Sequence, residues 1–229
     1  MQPLIVAIDG PSGVGKSTTS KQVARSLGIP HIDTGAMYRA IALAGVRAGV
    51  SVDDEARLEE IASRARIEFV PHSANPRVLL DGQDVTEAIR THDMSMAASC
   101  VSKLPAVRRV LVRLQQAMGN LAGGVLEGRD IGTRVFPGTP FKFFLTARPE
   151  VRAARRFNEL KEKGSSETLA AVLTDTTLRD TQDSTRADSP LTWNESYLLI
   201  DTSDLSIDAV VAKIVGKVTA GASNFLTPS

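Results

Sequence analysis

Gly10-Pro11-Ser12-Gly13-Val14-Gly15-Lys16-Ser17 gathers three glycines, an ammonium and two hydroxyls in one short stretch. The order fits G-x-x-x-x-G-K-[ST], a spacing suited to holding phosphate. Gly10, Gly13 and Gly15 let the backbone turn tightly and aim its N–H groups at phosphate oxygens. Lys16 can bring a compact cation to the β- and γ-phosphates of a nucleoside triphosphate such as ATP, and Ser17 can place a hydroxyl on Mg²⁺, with Thr18 following. The pattern alone recurs by chance, so its context matters. The apolar run Leu4–Asp9 reads as a buried strand before the loop. Lys16–Leu27 reads as a helix after it, stopped by Gly28, and its N-terminus adds partial positive charge. The bland alternative is a glycine-rich strand–helix turn with an incidental lysine.

The loop says that a terminal phosphate is handled and leaves the acceptor open. No Asn-Lys-x-Asp segment, as used to read guanine, is present. The strand-end acid of a water-activating ATPase is weakly represented, because Leu126-Glu127 is preceded only by Gly-Gly-Val. A small-molecule acceptor is therefore expected rather than water. Three further clusters can serve it: Asp33-Thr34-Gly35-Ala36-Met37-Tyr38-Arg39, Glu127-Gly128-Arg129-Asp130, and Arg179-Asp180 with Asp183 and Arg186. The first two fall at strand ends, which gather on one edge of a parallel sheet, where ligands bind. Arginines there suit a second phosphate. Each cluster also has a purely structural reading. Asp33 or Thr34 can cap a helix, Arg129-Asp130 can be a surface pair, and 179–186 can be a solvated helix end.

The elements that must position these groups alternate. Strands are expected at Pro30–Asp33, Val125–Gly128, Phe141–Thr146 and Tyr197–Asp201, and helices at Thr34–Gly49, Thr91–Ser102, Ala106–Met118, Glu150–Lys163, Glu167–Thr181 and Ile207–Val218. On Thr34–Gly49, Met37, Ile41 and Ala44 or Val46 share a face. Asp53 or Asp54 can cap another helix running through Arg64. This alternation implies an α/β fold of the P-loop NTPase type, a mainly parallel sheet flanked by helices. Ile67–Val70 and Arg77–Leu80, then a hairpin turn signal at Asp81-Gly82 and Val85 as a third short piece, break the alternation as a small antiparallel β insert at about 65–90. The 229 residues fit one domain carrying that insert.

Composition excludes several classes. Lys+Arg total 27 against Asp+Glu 26, so no global field draws the chain to nucleic acid or to an anionic membrane. Aromatics at 4% are poor for stacking on single strands. One cysteine, Cys100, forbids an intrachain disulfide or a multi-cysteine metal site. The apolar run at the N-terminus is too short for a signal peptide, and no stretch approaches the roughly 20 apolar residues of a membrane span. A cytoplasmic monomer is expected, binding neither nucleic acid nor membrane, with a tail at 221–229 that frays. His31, His72 and His92 are dispersed and read as non-catalytic, and Trp193 and Cys100 carry no clear chemical role.

The segments IDGPSGVGKST, IDTGAMYRA, EGRDIGTRVFP and RDTQDSTRADSPL, in that order, resemble those of the bacterial cytidylate kinase family. The resemblance includes the insert and the stretch from Ala97-Ala98-Ser99 to Pro105-Ala106-Val107-Arg108, and runs from about residue 4 to 218. It implies a nucleoside monophosphate kinase fold with a helical lid at about 149–186, and transfer of the ATP γ-phosphate to CMP or dCMP with Mg²⁺. By matched position it places Tyr38, Arg39 and Arg129 at the acceptor phosphate. Ser99, Arg108, Asp130 and Arg186 fall around the cytosine, and Arg179 and Asp183 near the ribose and phosphate. Arg152, Arg155 and Arg156 belong to the lid over the transferring phosphate, and Asp33 is a candidate for water-mediated metal or acceptor positioning. Thr34 stands where many members have Ser, and the hydroxyl survives.

Cytosine chemistry agrees with that map. Asp130 can accept from the N4 amino group and Arg108 can donate to O2 or N3, whereas uracil reverses part of the pattern. A site of such pairs discriminates strongly, because the wrong base leaves buried groups unpaired. Two other readings stand beside it: a kinase for another small acceptor such as UMP or shikimate, and a nucleotide-dependent regulatory or RNA-binding module.

Overall fold

The computed structural model describes residues 3–70, 76–162, 164–186 and 188–222. His72, Lys163 at the expected end of one helix, and the tail beyond Ala222 lie outside the described residues. The elements in chain order begin β1 (Ile5–Asp9), α1 (Lys16–Leu27), β2 (His31–Asp33), α2 (Thr34–Arg47) and α3 (Glu55–Arg64). There follow β3 (Ile67–Val70), β4 (Arg77–Leu80), β5 (Gln83–Asp84), α4 (His92–Val101) and α5 (Pro105–Ala122). The last are β6 (Gly124–Gly128), β7 (Phe141–Thr146), α6 (Pro149–Glu162), α7 (Leu169–Ser184), β8 (Leu198–Asp201) and α8 (Ile207–Ala222). They form two compact units, one of Met1–His31 with Gly119–Ser229, the other of Ile32–Met118. The expected insert at 65–90 is thus part of a larger unit.

The first unit contributes β6, β1, β7 and β8 to a sheet of order β2-β6-β1-β7-β8. β1 pairs in parallel with β6 and β7, and β7 with β8. All five residues of β1 are buried, as expected of a central strand covered on both faces. Its Val6 and Ile8 join Val125, Phe143 and Leu145 of the neighbouring strands, Val23 of α1 and Ile214 of α8 in one core. Each such burial is worth about 1.5–3 kcal/mol. Gly28 ends α1 with φ 67°, its N–H donating to the Ala24 and Arg25 carbonyls.

In the second unit, Met37 and Ile41 of α2 pack with Leu58 of α3, Val101 of α4, Leu111 of α5 and Val78 of the hairpin. Ala44 packs against this core, whereas Val46 is 50% exposed. Asp54 caps α3, accepting from Arg57 N at 3.1 Å, a bond worth about 1 kcal/mol. Asp81 (φ 52°) and Gly82 (φ 79°) make the tight turn between β4 and β5.

Several boundaries differ from expectation, each for a local reason. The third strand of the insert is Gln83–Asp84, and Val85 lies just past it, donating to Val78 O at 2.9 Å. α5 begins at Pro105, one residue before the expected Ala106, since a first-turn N–H has no helical partner to lose. Pro149 opens α6 in the same way. α7 begins at Leu169 because Thr168 caps it, accepting from Ala171 N at 3.2 Å. Ile131–Val135 forms a π-helical turn, with Phe136 N reaching back to Ile131 O at 2.7 Å. Among the described residues, no helix is long and apolar enough to cross a membrane.

Candidate active site

In the first unit, β1 runs into the loop 10–15 and α1 leaves it. Gly10, Gly13 and Gly15 have φ 149°, 78° and 88°. A Cβ on Gly10 would come within 2.2 Å of the Leu145 carbonyl oxygen, so glycine is required both by backbone conformation and by space. Lys16 folds back over the loop, donating to Gly10 O at 2.7 Å and Pro11 O at 2.6 Å. Burial, and then the like charge of Arg129, push its ammonium down to about 7, against the pull of Glu127, Asp183 and Asp9. Val14 is buried in the core, so it serves the loop through its backbone; its carbonyl accepts from Thr202 Oγ1 at 3.1 Å. Ser17 and Thr18 are exposed at the start of α1.

Ser17 Oγ donates to Glu127 Oε2 at 2.8 Å, and His31 Nε2 lies 2.9 Å from Glu127 Oε1. A hydroxyl whose proton goes to a carboxylate leaves its lone pairs for a hard cation, so this pair fits Mg²⁺. The Gly-Gly-Val lead-in made Glu127 look unpromising. In the structure, Gly124–Gly128 is a wholly buried strand that delivers the carboxylate to the loop. His31, read from the sequence as non-catalytic, is its partner.

Arg129 does not form a surface pair with Asp130. Its Nε donates to Asp183 Oδ2 at 2.7 Å, and Arg186 joins the same carboxylate. Burial works against the Arg129 guanidinium, but Asp183 outweighs it and holds the group above its ordinary value. For Asp183, burial is outweighed in turn by Arg129 and Arg186, which keep it below the usual carboxylate range. Arg179 is lowered by burial and by the like charges of Arg156 and Arg129. Lys16, Arg129, Arg179 and Arg186 thus form a cationic group, suited to phosphate, with Asp183 at its centre. Asp130 is buried beside it.

The three lid arginines part company. Arg152 is buried and bonds Ala147 O at 3.1 Å, Ser12 O at 3.2 Å and Asp180 Oδ2 at 2.5 Å. Arg155 holds Thr202 through its hydroxyl at 3.1 Å and its carbonyl at 2.6 Å. Arg156 reaches Glu159 at 3.1 Å on an exposed face.

In the second unit, Asp33 does what its bland reading said and more. Oδ1 accepts from Ala36 N at 2.9 Å, capping α2, while Oδ2 accepts from Arg39 Nη2 at 2.9 Å. Thr34 is buried in the first turn. The Arg108 guanidinium lies 5.8 Å from the Tyr38 ring centroid and donates to Ser102 O at 3.2 Å. Ser99 sits on the last turns of α4, its carbonyl accepting from Ser102 Oγ at 2.9 Å. Asp9 and Tyr197 were missed altogether. Asp9 is buried at the mouth of the loop, and the only trace it left in the sequence was an acid closing an apolar strand.

A parallel sheet that feeds a phosphate loop, with a lysine, a hydroxyl–carboxylate pair and a cluster of arginines, defines a P-loop kinase. The family model for cytidylate kinases matches residues 6–220, and the chain belongs to that family. A cytidylate kinase of Syntrophotalea carbinolica is 48% identical over 212 residues, 93% of this chain and 90% of that one. Another, from Caldanaerobacter subterraneus subsp. tengcongensis, is 47% identical over 209 residues, 91% and 92% of the two chains. Among solved structures, an uncharacterized protein from Eubacterium ventriosum aligns over 96% of this chain and 99% of its own with TM-score 0.51. At 11% identity that likeness concerns the fold alone.

Proposed function

We infer that the protein transfers the γ-phosphoryl group of ATP to CMP or dCMP, giving ADP and CDP or dCDP. The observation that carries this is the phosphate loop, with Lys16 over it and Ser17 bonded to Glu127, in a chain of the cytidylate kinase family.

Backbone N–H groups of the loop and Lys16 bind the triphosphate; the phosphates draw the ammonium away from Gly10 O and Pro11 O and restore its full charge. Ser17 and Glu127 would hold Mg²⁺, with His31 fixing the second carboxylate oxygen. The ion held there would supply positive charge against the negative charge that develops on the phosphoryl oxygens. Arg129, with Arg179, holds the acceptor phosphate, while Asp183 keeps Arg129 oriented and charged. Asp130 accepts from the cytosine amino group, and Arg108, held by Tyr38 and Ser102, donates to the ring. Transfer is in line between two bound nucleotides, with no phosphoenzyme and no dedicated base. The lid formed by α6 and α7 excludes water, which would otherwise hydrolyse ATP. A cytoplasmic protein acting as a monomer on these two nucleotides completes the reading.

The test is a coupled assay of ADP release with ATP, Mg²⁺ and CMP, dCMP, UMP, AMP or GMP in turn. Turnover confined mainly to CMP and dCMP is expected. Turnover confined to another acceptor, or none from folded protein that binds ATP, refutes it.

A further inference from the structure

Asp9 ends β1 one residue before the phosphate loop, and its side chain is fully buried. Oδ1 accepts from Ile131 N at 2.9 Å; Oδ2 accepts from Gly132 N at 2.9 Å and from the Tyr197 hydroxyl at 2.8 Å. Two distant segments therefore converge on one carboxylate. Ile131 and Gly132 open the π-helical turn that directly follows Arg129 and Asp130. Tyr197 stands just before β8, edge-on to Phe144 with ring centroids 6.2 Å apart. A Cβ on Gly132 would come within 2.6 Å of the Tyr197 hydroxyl oxygen, so the arrangement requires glycine there.

We propose that Asp9 and Tyr197 are positioning residues of the transfer, locking the turn that presents Arg129 and Asp130 to the strand that launches the phosphate loop. The proposal rests on the functional reading above. An apolar pair could fill the same space without desolvating a carboxylate. What the carboxylate adds is direction: it fixes two consecutive N–H groups, and with them the backbone that aims the acceptor-side pair. The acceptor should therefore feel its loss more than ATP does. The charged and titratable groups facing Asp9 are Asp130, Tyr197 and Lys16. Burial pushes Asp9 up to about 6, and Asp130 pushes the same way, while the bonds from Gly132, Ile131 and Tyr197 pull it back. Removing the tyrosine donor moves it higher still.

The experiment is steady-state kinetics from about pH 5 to 9 on wild type, Tyr197→Phe and Asp9→Asn, with thermal melts and calorimetric ATP binding. In Tyr197→Phe, KM for CMP should rise about tenfold while the ATP dissociation constant stays within about twofold. The acid limb of kcat/KM for CMP should move toward neutral pH. Asp9→Asn should lose more and lack that limb, because the amide does not titrate and turns an N–H toward an N–H. Equal weakening for CMP and ATP, or an unchanged pH profile in folded Tyr197→Phe, overturns the proposal. If Asp9→Asn does not fold, Tyr197→Phe decides alone, since it removes a single oxygen. Wild type that fails to phosphorylate CMP overturns the functional reading and this proposal with it, a result distinguished by needing no variant.

Discussion

Ser17 Oγ and Glu127 Oε2 stand 2.8 Å apart, a hydroxyl from the phosphate loop bonded to a carboxylate from the neighbouring strand. His31 Nε2 holds the other carboxylate oxygen, and its Nδ1 is buried without a hydrogen-bond partner among the described residues. A carboxylate only accepts, so Nε2 is the donor in this bond. Glu127→Gln keeps the volume and removes the charge. The Mg²⁺ concentration giving half-maximal rate should rise about tenfold or more, with metal-free ATP binding little changed. Titration of Mg²⁺ at fixed ATP checks this; an unchanged midpoint would remove Glu127 from the metal site.

Lys16, pushed down to about 7 by burial, should take up a proton when phosphates arrive. Calorimetry near pH 8 in buffers of different ionisation enthalpy should register uptake of up to about one proton per ATP, and Lys16→Ala should abolish it. The same substitution should cut turnover by about a thousandfold or more. The sign for stability is opposite to that of a salt-bridged lysine. The folded pKa lies below the ordinary lysine value of 10.5, so the unfolded chain holds more protons between the two. Stability therefore rises with pH across that window and is lost as pH falls through about 7. Lys16→Ala should melt no lower than wild type at pH 6.

The loop was legible because its chemistry is local: Gly10, Gly13, Gly15, Lys16 and Ser17 work within eight consecutive residues, between a strand and a helix that periodicity reveals. Gly28, Asp54 and Asp81-Gly82 marked their ends and turns for the same reason. The pairing of Glu127 with Ser17, and the roles of Asp9 and Tyr197, were not legible, because each acts across the sheet. Asp9 meets Gly132 and Tyr197 over separations of 123 and 188 residues, and no short-range pattern encodes that. Arg152, Arg155 and Arg156 looked alike as a helical run of cations. Only packing separates the first, buried against Ser12 and Asp180, from the last, on an exposed face.

Base choice tests the acceptor reading. Asp130→Asn offers an amide donor where the carboxylate only accepts, so it should lower kcat/KM for CMP about tenfold to a hundredfold while raising it for UMP. Arg108→Met keeps the stem that packs beside Tyr38 and removes the donors. It should weaken CMP without helping UMP. The ratio of kcat/KM for CMP and UMP in the two variants reads this directly; an unaltered ratio in both places the base elsewhere.

Arg152 and Arg156 should fail in different ways. The Arg152 guanidinium joins the Ser12 and Ala147 carbonyls to Asp180, three partners in fixed directions. A lysine offers one point charge on a flexible stem and cannot serve all three. Arg152→Lys should therefore lose stability, by about 1–3 kcal/mol for hydrogen bonds left unmade, together with turnover. Arg156 has one exposed partner, Glu159, whose bond contributes little to stability. Its charge nevertheless bears on Arg179 within the cationic group. Arg156→Ala should keep the wild-type melting temperature and lower kcat about tenfold to a hundredfold. Paired melts and single-turnover rates separate the two. An Arg152→Lys protein as stable and as fast as wild type would mean that the loop and α7 do not depend on that guanidinium.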